Sequence, residues 1–328
     1  MKAIIRTKAG KALSTMAVQE LPTAHLQPHQ IKVKMVSSRI NPVDVDLMKG
    51  MPFLKYKKPQ IGGIDGAGEV VAVGAAVQAF MPGDQVFFYR KFSDIGTWAE
   101  EITVNASDVA KIPQNISVTE AGGIALPLLT AYDALLQLKA QPGEKILIHG
   151  AAGGVGFQAT QLAIKMGLEV IATAGEQDID LLQKAGVNTI INYKTQDFLR
   201  EVAPQSIDYV LDTVGGEVLK KSLALKPKKV VSVHYVDTSK MIKTGVKLPG
   251  LLKWIMKMMM SKFSRLAKKH EVELIGQVTG ADGDLLQQVS TEVNQMDFTV
   301  KLSKTLTLNQ IAKQGMSQQD VGKVILFQ

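Results

Sequence analysis

Ile146-Leu-Ile-His-Gly-Ala-Ala-Gly-Gly-Val-Gly156 is the stretch on which the fold turns. A short apolar run feeds a Gly-rich turn, and the turn opens onto Phe157–Met166, whose apolar residues recur at helical spacing. This is the shape of a dinucleotide-binding strand–turn–helix. Gly153 is expected to allow the tight turn. Gly154 and Val155 are expected to offer backbone N–H groups to a pyrophosphate at the helix N-terminus. Gly156 would let helix and strand pack closely. Such a motif implies a nicotinamide or flavin cofactor, and so redox chemistry. Ala151 holds the first Gly position of the strict pattern, so an ordinary Gly-rich turn in an α/β protein is the competing reading of this motif by itself.

Downstream, strands Lys145–His149, Glu169–Thr173, Thr189–Asn192, Tyr209–Asp212 and Lys229–His234 alternate with helical stretches such as Asp178–Ala185 and Glu217–Leu223. Apolar strands alternating with helices predict a parallel, doubly wound sheet. Val272–Val278 is its next strand, and Ala121–Leu138 is the helix that leads into it. Upstream, residues 1–120 are β-rich. Ile31–Val36 and Trp98–Val104 alternate, and short strands separated by Gly and Pro turns predict a partly closed β-barrel. The tail gives a helix over Gly283–Gln295 and a strand over Lys323–Phe327.

The chain has 328 residues, 46% of them apolar, enough for two domains with real cores. It has no cysteine, which removes disulfides, thiolate nucleophiles and Cys-based zinc sites. There is no signal-peptide pattern at the N-terminus and no apolar run long enough to span a membrane, so a cytoplasmic protein is expected. The net charge of +8 suits anionic partners: a phosphorylated cofactor, an acidic membrane surface or nucleic acid. Nucleic acid fits least, because aromatics are few and no RNA-binding module is present.

The strand after the Gly-rich turn ends at Ala174-Gly175, where NAD-binding folds usually carry a carboxylate for the ribose 2′-OH. Its absence leaves room for a 2′-phosphate and favours NADPH, with NADH as the alternative because Asp178 would repel a phosphate. Thr173, Tyr193 and Lys194 are the groups expected near the adenine ribose. Asp212-Thr-Val-Gly-Gly216 places a small-residue turn at the same sheet edge, either beside the nicotinamide or as a structural turn held by Asp212.

Taken in order, Arg39-Ile-Asn-Pro-Val-Asp44, Gly63-Ile-Asp-Gly-Ala-Gly-Glu-Val-Val-Ala-Val-Gly74, Pro82-Gly-Asp-Gln-Val86, Gly96-Thr-Trp-Ala-Glu100, Leu129–Leu135, His149–Gly156, Ile191-Asn-Tyr193, Leu211–Gly216 and Gly322–Leu326 resemble the medium-chain dehydrogenase/reductase superfamily, and within it the zinc-free quinone oxidoreductase branch. The resemblance implies a GroES-like barrel domain, 1–122 and 282–328, around a Rossmann NAD(P)-binding domain, 123–281, with NADPH held in a cleft between them. It puts Thr130 near the nicotinamide carboxamide, Gly153 to Val155 at the pyrophosphate and Tyr193 by the adenosine 2′ side; Gly175, Lys194 and Val214 are further residues expected at the cofactor, and His234 is expected either as a cofactor-facing filler or as a proton donor. Asn41 would lie at the floor of the active site. Zinc-binding relatives have Cys in place of Asn41 and Gly-His-Glu in place of Gly63-Ile64-Asp65, so no metal is expected. Quinone-reducing relatives can have tyrosines at the positions of Asp46 and Pro52. The acceptor implied is a lipophilic quinone or α,β-unsaturated carbonyl; Asn41 is expected to orient it, with Tyr56 or His234 as the proton source, and the alternative expectation is a cofactor-binding peripheral membrane or redox-sensing protein with little turnover. Relatives also imply a homodimer, for which Val272–Val278 is a candidate edge.

Lys240–His270 contains nine Lys or Arg and no acid. On a helical wheel Leu252, Ile255, Met256, Met259, Met260, Phe263 and Leu266 fall on one side, opposite Lys253, Lys257, Arg265 and Lys268, with Trp254 and Met258 off the pattern. Residues 250–269 are therefore expected either to pack this stripe into their own core, or to serve as a membrane-surface helix or a Met-lined flap over a lipophilic acceptor.

Overall fold

A computed structural model describes residues 1–8, 13–50, 59–301 and 304–327. The backbone divides into two compact units. The first comprises residues 1–126, 242–247 and 280–328; the second comprises 127–241 and 248–279.

In the first unit, β1 (Lys2–Arg6) and β2 (Met16–Glu20) form an antiparallel pair. The larger sheet is built from β3 (Gln30–Arg39), β4 (Asp65–Val73), β5 (Gln85–Tyr89), β6 (Glu101–Asn105) and β7 (Val109–Lys111). It is closed out by two strands from the far end of the chain. Its order is β14-β15-β3-β4-β5-β7, where β14 is Thr305–Thr307 and β15 is Val324–Leu326, and β6 pairs with β3. Inward positions Ile31, Val33 and Met35 of β3 are buried against outward Lys32 and Lys34, the period-two pattern of a half-solvated strand. Helices α1 (Pro42–Lys49) and α2 (Val118–Ala121) lie within this unit.

The second unit contains most of α3 (Ala125–Leu138) and six parallel strands: β8 (Lys145–His149), β9 (Glu169–Ala174), β10 (Thr189–Asn192), β11 (Tyr209–Asp212), β12 (Lys229–Ser232) and β13 (Glu273–Gly276). Their order is β10-β9-β8-β11-β12-β13, so the chain reverses direction across the sheet between β8 and β11. The connections carry α4 (Gly154–Lys165), α5 (Ile179–Lys184), α6 (Phe198–Glu201), α7 (Gly216–Ala224) and α8 (Gly250–Lys269). Leu147, Val210 and Val230 come from three central strands and are covered by Leu219, Leu223, Phe263 and Ala267. Each of these Leu, Val and Phe side chains contributes about 1.5–3 kcal/mol on burial. Strands buried on both faces read as continuous apolar runs, which is why the sequence located them. Helices α9 (Gly283–Asn294) and α10 (Leu308–Gln314) belong to the first unit.

The expected helix over Ala121–Leu138 is two helices, α2 and α3, separated at Gly122-Gly123-Ile124. The cause is a close approach: a Cβ on Gly122 would lie 2.0 Å from Ser37 Oγ and 2.5 Å from Ser37 O. The break gives α3 a helix N-terminus of its own. The last strand-like run before the basic segment also ends early, at Ser232, leaving His234 in the following turn.

Candidate functional site

Within the second unit, the Gly-rich turn lies at the carboxyl end of β8, at the point where the strand order reverses. Open α/β sheets bind ligands there. Gly150 has φ +65° and a Cβ on it would meet Thr213 Oγ1 at 2.6 Å. The left-handed turn residue is therefore Gly150. Gly153, to which the sequence reading gave that role, has φ −76° and caps α4. Gly156 is where helix and strand meet: a Cβ there would lie 2.1 Å from the Gly150 carbonyl oxygen. The first intrahelical bond of α4 runs from Phe157 N–H to Gly153 O. The N–H groups of Gly154 and Val155 precede it and have no acceptor within the helix, as anion-binding helix starts require.

Beside this turn is a cavity of about 740 Å³. His149, Gly150 and Thr173 form its strand-end wall, and Tyr193, Lys194, Val214 and Lys221 its outer parts. Tyr193 is exposed and its N–H donates to Ala174 O. Lys194 is exposed, while Lys221 pairs with Asp197 at 3.3 Å. Gly175 ends β9 without a carboxylate, with the Gln177 side chain against its backbone.

Two buried polar clusters fix these strand ends. His149 Nδ1 lies 3.1 Å from Thr173 Oγ1, and His149 Nε2 lies 2.9 Å from Ser222 Oγ. Thr173 Oγ1 also accepts from Gly150 N–H, so its hydroxyl is engaged with the turn. The His149 ring is tilted against Phe198 at 4.6 Å between centroids. Burial lowers its pKa to about 4, against a smaller opposing effect of Asp212, and keeps the ring neutral. Asp212 Oδ1 accepts from Val214 and Gly215 N–H at 3.0 and 2.8 Å, and Oδ2 accepts from Ser232 Oγ at 2.6 Å. Asp212 thus holds the turn that presents Val214. His234 packs on that turn: its Cβ would lie 2.6 Å from a Cβ at Gly215, and its Nε2 is 3.2 Å from Thr213 O. Thr130 Oγ1 is 2.8 Å from Thr279 Oγ1, and Thr279 accepts from Gln277, which also donates to Asp133. Lys240 donates to Gln137 Oε1 and Gly276 O at the end of the same network.

In the first unit, Asn41 caps α1, with Pro42 opening the helix. Its Nδ2 donates to Asp65 Oδ1 at 2.8 Å, and its N–H donates to Asp44 Oδ2 at 2.7 Å. Asp65 Oδ2 accepts from Leu126 N–H, at the N-terminus created by the α2–α3 break. Both carboxyls are fully buried. Burial pushes the Asp65 carboxyl up to about 6, against the lowering influence of its hydrogen bonds and Arg39. Burial and the neighbouring Asp65 push Asp44 well up, and its Oδ1 has no partner among the described residues. Sequence reasoning singled out Asn41 but missed Asp65, Asp44, His149, Ser222 and Lys221. The Asn41-Pro42-x-Asp44 spacing is a helix-start signature that could have tied the first group together. Tyr56, an expected proton source, lies outside the described residues. Among the described residues no group of three or more His, Asp or Glu could hold a metal ion, and no helix is long and apolar enough to cross a membrane.

Residues 27–114 match the alcohol dehydrogenase GroES-like domain, and residues 185–326 match the zinc-binding dehydrogenase domain. Human quinone oxidoreductase is 32% identical over 203 residues, which is 60% of this chain and 61% of that protein. A zinc-type alcohol dehydrogenase-like protein of Schizosaccharomyces pombe is 33% identical over 208 residues, 61% of this chain and 60% of that protein. The matched stretch thus spans about three fifths of the length of these curated relatives. The quinone oxidoreductase structure from Coxiella burnetii superposes with a TM-score of 0.81 at 26% identity, covering 100% of this chain and 99% of that one. Escherichia coli quinone oxidoreductase complexed with NADPH has the same fold, with a TM-score of 0.78 at 22% identity and full coverage of both chains. With a largely antiparallel GroES-like sheet and a six-stranded parallel Rossmann sheet in one chain, matched by both domain families, this chain belongs to the medium-chain dehydrogenase/reductase superfamily.

Proposed function

We propose that the chain is a cytoplasmic, zinc-independent NADPH-dependent oxidoreductase that reduces a lipophilic quinone or α,β-unsaturated carbonyl. The observation that carries this reading is the backbone cradle at the sheet's reversal point, where side chains at Gly150 and Gly156 are excluded and helix N–H groups stand without helical acceptors. The chemistry of the cradle fits a dinucleotide pyrophosphate. Bound there, a reduced nicotinamide supplies the hydride.

The chain's own residues bind and orient. Gly153, Gly154 and Val155 take the pyrophosphate. Thr173, Gly175, Tyr193 and Lys194 take the adenosine side, with the Lys194 ammonium as the partner of a 2′-phosphate. Thr130, Val214 and His234 flank the nicotinamide. Asn41 uses one N–H on Asp65 and has a second to aim at the acceptor oxygen, where negative charge grows. A proton then comes from Tyr56 or His234. Reading the enzyme as zinc-independent rests on the residues at the metal positions: an amide, a buried isoleucine and a buried carboxylate already engaged by two donors. Strand β13 ends the parallel sheet, and its free edge is the proposed contact of a homodimer.

Paired fluorescence titration with NADPH and NADH, followed by a panel of quinones, enones and aldehydes, tests this. Tighter NADPH binding with quinone or enone turnover is expected. NADH preference would shift the discrimination to Glu176 and Asp178, and binding of neither would overturn the proposal.

A further inference from the structure

Helix α8 carries two apolar faces. On one, Phe263 and Ala267 are buried in the core of the parallel-sheet unit, and Met260 packs against the same cluster. On the other, Leu251, Trp254, Ile255, Met258 and Met259 recur at the i, i+3, i+4, i+7, i+8 spacing of a helical stripe. These five are 72, 60, 37, 57 and 61% exposed. They make up nearly half of the large apolar side chains exposed among the described residues, gathered into one strip of about two and a half turns. Scattered exposed apolar residues need no explanation, but a contiguous strip marks a contact surface.

The charge around the strip identifies what it contacts. Helix α8 has six bases, Lys253, Lys257, Lys262, Arg265, Lys268 and Lys269, and no acid. None of the six makes an ion pair among the described residues. By helical spacing Lys262, Arg265 and Lys269 continue the strip's line toward the C-terminus, while Lys253, Lys257 and Lys268 lie further round the helix. A second copy docked strip to strip would set six bases against six with no carboxylate between them. The helix is also too polar to cross a bilayer. An apolar strip bordered by unpaired bases, with a tryptophan in it, matches instead a helix lying in the plane of a lipid interface.

We propose that α8 is a docking surface for an anionic lipid bilayer. Leu251, Trp254, Ile255, Met258 and Met259 enter the boundary between headgroups and acyl chains, and the bases meet anionic headgroups. The inference stands on α8 alone and holds whether or not the chain turns over an acceptor.

Sedimentation of the full chain with phosphatidylcholine vesicles, with and without phosphatidylserine, tests it, read together with tryptophan emission. Trp98 is fully buried and Trp254 is the other of the two tryptophans, so a change on binding reports α8. Co-sedimentation with the phosphatidylserine vesicles and a blue shift of emission are expected, weakening as salt rises. Trp254→Ser/Met258→Ser and Arg265→Glu/Lys269→Glu are each expected to lower the partition coefficient by about 10-fold or more. Their sites are exposed, so the fold is retained, and an unchanged thermal transition verifies it. Absence of co-sedimentation with phosphatidylserine vesicles would overturn the proposal. So would binding that both variants leave intact, or self-association of the wild type that Trp254→Ser/Met258→Ser abolishes without any vesicle binding.

Discussion

Asn41 and Asp65, on two different elements of the barrel unit, are joined by a 2.8 Å bond from the Asn41 amide to a fully buried carboxylate. That bond fixes the Asn41 side chain and offsets part of the cost of burying Asp65. Asn41→Ala is expected to lower turnover with the reduced cofactor while leaving the cofactor dissociation constant unchanged. It should also cost about 1–3 kcal/mol of stability, because Asp65 loses a donor. Steady-state kinetics alongside direct titration separates these effects, and unchanged turnover would remove Asn41 from the acceptor site.

Asp65 should leave a signature in stability against pH. Its native pKa of about 6 lies above the ordinary value of 3.8. The native state therefore holds a proton that the unfolded chain has released. Stability from this group is full below about pH 4 and falls as pH rises toward 6, by about 3 kcal/mol in all. Asp65→Asn cannot titrate, so the advantage of the wild type over it should shrink by that order between pH 4 and pH 7. Urea unfolding of both proteins across the window reads it, and a constant difference would contradict the assignment.

His149 should do the reverse. Its pKa is lowered from 6.5 to about 4, so the native state refuses a proton that the unfolded chain accepts. Stability from this group is full above pH 6.5 and is lost as pH falls toward 4, again by about 3 kcal/mol. His149→Gln is expected to trail the wild type at pH 7 and to close the gap at pH 4.5. The two groups offset each other in the wild type, so paired variants followed by thermal unfolding are needed to expose either.

Gly156→Ala places a methyl where the Gly150 carbonyl oxygen stands, 2.1 Å away. Backbone must move on both sides. A loss of about 2–4 kcal/mol is expected, together with cofactor binding weakened at least as much as the fold. Gly153→Ala, whose Cβ meets the same oxygen at 3.2 Å with an ordinary φ of −76°, should be much milder. Melting temperatures of the two variants make the comparison.

Lys194→Glu reverses the charge at the rim of the cavity beside Tyr193. It is expected to weaken NADPH by about 10-fold or more and to leave NADH within about 2-fold. Equal weakening of both would place Lys194 at the pyrophosphate or outside the site.

The parts of this fold that the sequence revealed are those set by local period. Strands such as Ile146–His149 and Val230–Ser232 are buried on both faces and read as apolar runs. The parts it hid depend on partners far along the chain. Thr130 meets Thr279, and His149 meets Ser222, and nothing local to either residue announces the pairing. The α2–α3 break escaped the single helix expected over Ala121–Leu138: Gly122-Gly123 is a local breaker signal, but its reason, the contact with Ser37, lies far along the chain. On α8 the wheel found an apolar stripe yet mixed two faces. The side of a doubly amphipathic helix that meets the core is chosen by the sheet beneath it, so Ile255 and Met259 went outward with Trp254 and Met258.

The bond between Asn41 and Asp65 also bears on how this chain could change. Zinc-binding relatives have Cys and Gly-His-Glu at the matching positions. A single Asn41→Cys replacement would not begin a metal site here: it would take the amide from Asp65 and leave Ile64, fully buried, where a histidine is needed. Replacing Asn41 or Ile64 alone is therefore expected to give a less stable barrel. On the proposed zinc-independent reading, the amide–carboxylate pair works as a ratchet: a liganding set at these positions needs several replacements together rather than one.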